Sequence, residues 1–171
     1  MLKRILRGQI NKAERDLGVS LDYMRYVTDH STAATIRMAR FMRLAEFKSP
    51  LPAPVVSVAV MASSMADDCG SCVQIAVNMA RQRGVPPDVL RAVVQHEPES
   101  LSDELRDVYE FAETITSGAD APDELRQRLR LRYGERGLID LAMAIAMHRV
   151  YPTFKRALGY ATSCSRVNVA V

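Results

Sequence analysis

Residues 55–66 read VVSVAVMASSMA, a stretch with no charged residue and no side chain larger than methionine. Such a segment has no polar face to offer water, so the element it forms is buried on most sides. Its valines alone would also permit a strand. The neighbourhood decides for a helix, because helical periodicity and capping residues recur on both sides. Just upstream, SPLPAPVV carries prolines at 50, 52 and 54, which remove backbone donors and push the preceding residues out of the α region. That segment is a connector, too short to separate domains.

Around this core segment the chain reads as amphipathic helices. Leu2, Ile5, Leu6, Ile10, Ala13 and Leu17 recur at helical spacing, with Gly18 placed as a C-terminal cap. The basic face of this helix is better explained by packing on the body or on a neighbouring subunit than by a membrane surface. Ser20 and Ser31 are N-cap candidates for LDYMRYVTD and TAATIRMARFMRLAEFK, with Met38, Phe41, Met42, Ala45 and Phe47 on the buried side of the second. Further on, CGSCVQIAVNMARQR is closed by Gly84, and PDVLRAVVQH is stopped by Glu97-Pro98. Ser100 or Ser102 caps ELRDVYEFAETITSG, whose stripe is Leu105, Val108, Tyr109, Ala112 and Ile115. DELRQRLRLRYG makes another helix. The last, ERGLIDLAMAIAMHRVYPTFKRALG, is nearly apolar through Ala146 and is expected to cross the core with a kink at Pro152. With only 6% aromatic residues and no Trp, the composition favours helix over strand. The expected fold class is all-α, and 171 residues suit one domain.

The net charge of +3 comes from interleaved basic and acidic residues, so neither a basic arm nor a nucleic-acid partner is expected. A DNA-binding reading of the last two helices is weaker still, since Glu135 and Asp140 offset their basic residues. No apolar run reaches the length of a membrane span, and the N-terminus lacks the apolar core of a signal peptide. A cytoplasmic location without membrane attachment is therefore expected. In that compartment three cysteines do not form a disulfide framework, and a close pair is more often catalytic or metal-binding.

That pair lies in MADDCGSCVQIA, residues 65–76. A cysteine at a helix N-terminus meets unpaired N–H groups and the positive end of the helix dipole, which favour the thiolate. A second cysteine three residues on lies on the same face and can close a disulfide after the first has attacked. Asp67 and Asp68 oppose this unless one caps the helix. Zinc would need two more ligands, and the chain has no second CxxC and no CxxH, so no metal and no cofactor is expected. Two small residues packed in an inert core is the bland alternative. His148 is first a core histidine bonded to a carbonyl; His96 suits a helix end and His30 a solvent-facing turn. Asn78 and Gln74 read as surface polars, and Cys164 in the tail receives no role.

Cys69-Gly70-Ser71-Cys72, Ala80, Gly84 and the following VPPDVL resemble the alkylhydroperoxidase D and carboxymuconolactone decarboxylase superfamily. The likeness extends over residues 49–159, with residues 1–48 as N-terminal helices, 49–160 as the shared core and 161–171 as a tail. It implies an alkylhydroperoxidase D-like helical bundle assembled as a homo-oligomer, a trimer, hexamer or dimer. It also implies a CxxC dithiol, Cys69 and Cys72, that reduces peroxides or disulfides with an outside electron donor. Decarboxylase members act on a lactone acid without such a pair. The chain departs from the pattern at two places. The histidine that follows the pair falls on Ala76, and the glutamate that precedes it falls on Ser57. In redox members those two residues relay protons for the second cysteine, here Cys72, and neither Ala76 nor Ser57 can act as a base. With that relay gone, Asp68 and His148 are the candidate helpers; the family pattern favours Cys72 as the nucleophile, dipole and exposure favour Cys69, and both stay candidates. The competing readings are a decarboxylase-like enzyme using Arg149 and Arg156 on a small organic acid, and a catalytically silent interaction protein.

Overall fold

The structure, a computed structural model, describes residues 1–46 and 49–161. Phe47 and Cys164 lie outside the described residues. The elements in chain order are α1 (Leu2–Leu17), α2 (Asp22–His30), α3 (Thr32–Ala45), α4 (Ala53–Ala66), α5 (Gly70–Gln82), α6 (Pro87–Val94), a 3-10 turn (Pro98–Ser100), α7 (Asp103–Thr116), α8 (Asp123–His148) and α9 (Val150–Ala157). Among the described residues there is no strand, and the fold is all-α.

The uncharged segment is α4, and it is the hub. It packs against α5, α6, α7 and α8, and Val58, Ala59 and Met61 are wholly buried. The main core gathers around it from α4 to α8, joined by Val73 and Val77, Leu90 and Val93, Val108 and Ala112, and Leu141 and Ile145. A second, smaller cluster joins α1, α2 and α3 to α9 through Ile10, Leu21, Tyr23, Met24 and Met38, with Phe41, Tyr151 and Phe154 partly buried beside them. The N-terminal helices thus cover one end of the α4–α5 pair.

Several helix ends follow from the residues at them. Gly18 closes α1 in the left-handed region, φ +67°, with its N–H on the Glu14 carbonyl. Ser31 caps α3 by accepting from the Ala34 N–H at 3.1 Å, and Ser102 caps α7 by accepting from the Leu105 N–H at 3.4 Å. Ser20 does not cap α2. Leu21 holds that position, and its N–H donates to the Glu14 carboxylate at 2.6 Å, while Arg25 binds the same carboxylate and ties α2 to α1.

The last third departs further from the expectation. Two helices were expected between 123 and 159, dividing at Gly134, with a kink at Pro152. The break at Gly134 is present within α8, where φ of +71° and ψ of 176° are open to glycine. α8 then stops at Arg149, and Pro152 sits in the first turn of α9, where its missing N–H would have had no helical partner. Residues 135–148 do not cross the core. Leu141, Ala144 and Ile145 face inward, but Ile139 and Met143 are 57% and 37% exposed, so this half of α8 lies on the surface with one face packed. Asn78 is not a free surface polar. Its amide donates to the Leu17 carbonyl at 2.6 Å and accepts from Gln74 at 3.0 Å, and Gln82 donates to the Asp16 carbonyl at 3.1 Å. These bonds take up carbonyls that the end of α1 leaves open and dock α1 on α5.

Because Met61 is fully enclosed at the centre of α4, Met61→Ala is expected to lower the unfolding free energy by about 2–5 kcal/mol. Urea denaturation followed by far-ultraviolet circular dichroism reads this as a lower midpoint with the native helical signal intact.

Candidate active site

The turn from α4 to α5 sets the geometry of the cysteines. α4 ends at Ala66, Asp67 follows as its C-cap, and Asp68 adopts a left-handed conformation, φ +46°. That conformation is more readily accepted by Asp than by most residues. Cys69 is then the N-cap residue of α5, and its side chain makes no cap bond. Neither aspartate caps α5. Asp67 is turned to the α8–α9 junction, where Arg149 binds its carboxylate at 3.2 and 3.4 Å and Arg156 donates to its backbone carbonyl. Asp68 is exposed and does not line the cavity described below.

The turn folds Cys69 inward. It is 0% exposed, whereas Cys72, one helical turn on, is 7% exposed and lines a cavity. The two are joined by a disulfide, with Cα atoms 5.2 Å apart. Of the two candidates, exposure therefore favours Cys72, and the expectation that Cys69 is the more exposed does not hold. The difference arises because the N-cap position, rich in dipole, is here sealed by the turn that creates it.

The cavity, of about 90 Å³, lies where the N-terminal cluster meets α4 and α5. Its wall is mostly apolar, with Leu17, Leu21, Met42, Ile75 and Met79 prominent. Ser57 and Ala76 both face it, so the two positions that depart from the resembled pattern lie on the same wall as Cys72. The Ser57 hydroxyl is buried and has no hydrogen-bond partner among the described residues. His148 also lines the cavity. Its Nδ1 donates to the Ala144 carbonyl at 2.8 Å, and burial lowers its pKa, so the neutral ring presents Nε2 as an acceptor. His30 and His96 lie elsewhere, bonded to the Tyr26 carbonyl and the Tyr109 hydroxyl.

One residue at the site escapes sequence reading. Lys155, on α9, is 2% exposed. Its Nζ lies 3.0 Å from Ser71 Oγ, 3.7 Å from Cys72 Sγ and 4.9 Å from the centroid of the Tyr23 ring. Among the described residues no carboxylate pairs with it. Burial lowers its pKa from the usual 10.5 to about 8. A faint signal was present, since Lys155 follows Tyr151 by four residues and so shares the inward face of α9. Among the described residues no group of three or more His, Cys, Asp or Glu is placed to hold a metal ion.

The buried lysine makes stability depend on pH. Its pKa is lower in the folded than in the unfolded chain, so the folded state prefers the neutral amine. Its contribution is most favourable above about pH 10.5 and is lost as pH falls through about 8. For the disulfide form, in which neither cysteine of the pair titrates, wild type should gain up to roughly 3 kcal/mol relative to Lys155→Met between about pH 7 and 11. Parallel urea titrations of the two proteins check this.

Residues 32–114 match the carboxymuconolactone decarboxylase family. The matched stretch runs from α3 into α7 and includes Ser57, Cys69, Cys72 and Ala76, while His148 and Lys155 lie beyond it. No curated protein and no solved structure matches the chain. The all-helical bundle built on α4 and the cysteine pair at the start of α5 agree with this match, which makes residues 32–114 similar to the carboxymuconolactone decarboxylase family, in the superfamily that includes the alkylhydroperoxidase D proteins.

Proposed function

We propose that Cys69 and Cys72 form a redox dithiol that reduces a hydroperoxide or an organic disulfide, with Cys72 as the attacking thiol and Cys69 as the resolving one. The observation that carries this reading is the asymmetry of the pair. Cys72 opens on a cavity and Cys69 is sealed behind it, within bonding distance. A substrate entering the cavity meets one sulfur, and the product of that attack is resolved by the other without exposure to solvent.

With a hydroperoxide, the Cys72 thiolate attacks the terminal oxygen. An S–O bond forms, the O–O bond breaks, and the alkoxide leaves as an alcohol after taking a proton. The Cys69 thiol then displaces hydroxide from the sulfenic acid, giving the disulfide and water. An external dithiol supplies the two electrons that restore the reduced pair. With a disulfide substrate the same two attacks release two thiols.

The decarboxylase-like reading has less support. Arg149 and Arg156, the cations it would need in the pocket, are engaged with Asp67 at the α4–α5 turn and do not line the cavity.

Single-turnover oxidation of the reduced protein by one equivalent of an alkyl hydroperoxide tests the assignment. Wild type should form the 69–72 disulfide. Cys72→Ser should fall to the uncatalysed rate, and Cys69→Ser should stop at a Cys72 sulfenic acid that dimedone traps. Equal peroxide consumption by wild type and both variants would contradict the reading.

A further inference from the structure

The wall beside Cys72 offers no side chain at 57 or 76 able to accept a proton, yet the site holds a titratable amine in contact with the sulfur. We propose that Lys155 is the proton-exchange partner of Cys72: it takes the thiol proton, holds the thiolate as an ion pair, and returns the proton to the leaving atom of the substrate. This deepens the dithiol reading and rests on it.

The geometry carries the assignment. Lys155 Nζ is 3.7 Å from Cys72 Sγ, within the range in which an opposite charge strongly stabilises a thiolate. Ser71 Oγ, at 3.0 Å, holds the amine against the first turn of α5, and the face of Tyr23 lies on another side, so Nζ has little freedom to swing away. No carboxylate competes for the charge among the described residues. Among the described residues an ammonium buried in this way has no counter-ion while the disulfide is closed, and the Cys72 thiolate is the anion that opening creates.

The other ionisable groups at the cavity do not fill this role. His148 on α8 spends its Nδ1 on the Ala144 carbonyl, and the hydrogen bond to Cys72 Sγ comes from Lys155. Tyr23 on α2 and Tyr151 on α9 are phenols whose pKa burial pushes up, so they are neutral. Glu46 after α3 and Arg83 after α5 line the cavity as well.

The protons balance across the redox cycle. Reduction of the disulfide by an external dithiol brings two electrons and two protons. One proton goes to Cys69, and the other to a neutral Lys155 amine, leaving Cys72 as thiolate beside an ammonium. When the thiolate attacks a hydroperoxide, the ammonium protonates the departing alkoxide and returns to the amine. The lowered pKa of the amine in the disulfide form supports this cycle, since it makes the neutral state accessible near physiological pH.

The test is the pH dependence of Cys72 alkylation by iodoacetamide in the reduced, full-length protein. A Cys69→Ser background leaves one thiol in its tryptic peptide for mass spectrometry. Lys155→Met should raise the apparent pKa of Cys72 by at least about one unit and slow labelling at pH 7 about tenfold or more. Lys155→Gln, which keeps a donor for Ser71 but no charge, should behave like Lys155→Met. Lys155→Arg, which keeps the charge, should restore the low pKa. Removing a buried charge leaves no ion unpaired, so the Met variant should fold; if it does not, the Gln and Arg pair carries the comparison. Unchanged Cys72 pKa values in the Met and Gln variants would overturn the role of Lys155 and leave the dithiol reading standing. Failure of Cys72 to label in any folded protein, wild type included, would overturn both.

Discussion

Burial of the uncharged helix α4 is the constraint on which the rest of the structure depends. A helix with no polar face must be enclosed, and α5, α6, α7 and α8 do this around Val58, Ala59 and Met61. The functional turn follows directly. α4 ends at the exposed Ala66, and the residues after it, Asp67 to Cys69, turn within a few positions to bring the chain back in and start α5 alongside. The left-handed Asp68 and the grip of Arg149 and Arg156 on Asp67 hold that turn. Its result is an inward Cys69 and a Cys72 that looks into the cavity between α4, α5 and the N-terminal helices.

A second tension runs through that space. Lys155 is buried and has no carboxylate partner among the described residues, an arrangement that works against stability while the amine is charged. Two partial compensations are present, a hydrogen bond to Ser71 and the face of Tyr23. Neither supplies a full negative charge. A site that holds a cation with no resident anion among the described residues favours an anion that can form there, and Cys72 is in reach at 3.7 Å. The same features that lower stability therefore favour the thiolate, which is the reactive form of the cysteine.

Much of the scaffold was legible in the sequence, for local reasons. Gly18, Ser31 and Ser102 act on the backbone within a few residues, and an apolar run such as 55–66 has few structural options. The cysteine pair was legible because a three-residue spacing on a helix fixes mutual distance. What could not be read were interactions across long separations. The Arg149–Asp67 pair spans 82 residues and the Lys155–Cys72 contact 83. A lysine in YPTFKRALG looks like an ordinary solvated charge until α9 is seen to lay that face on α5. The same limit explains Asn78, whose partner is a carbonyl 61 residues away. It also explains why Cys69 read as the more exposed cysteine, because burial of an N-cap depends on what lies above the turn.

The central claim is that the charge on Lys155 is coupled to the redox state of the cysteine pair. The chain has four lysines, so nitrogen-15 NMR of the lysine amines can follow Lys155 through a pH titration, assigned by its loss in Lys155→Met. The account predicts a Lys155 pKa near 8 in the disulfide form and a clearly higher one in the reduced form, where the Cys72 thiolate lies beside it. The same Lys155 pKa in both forms would contradict it.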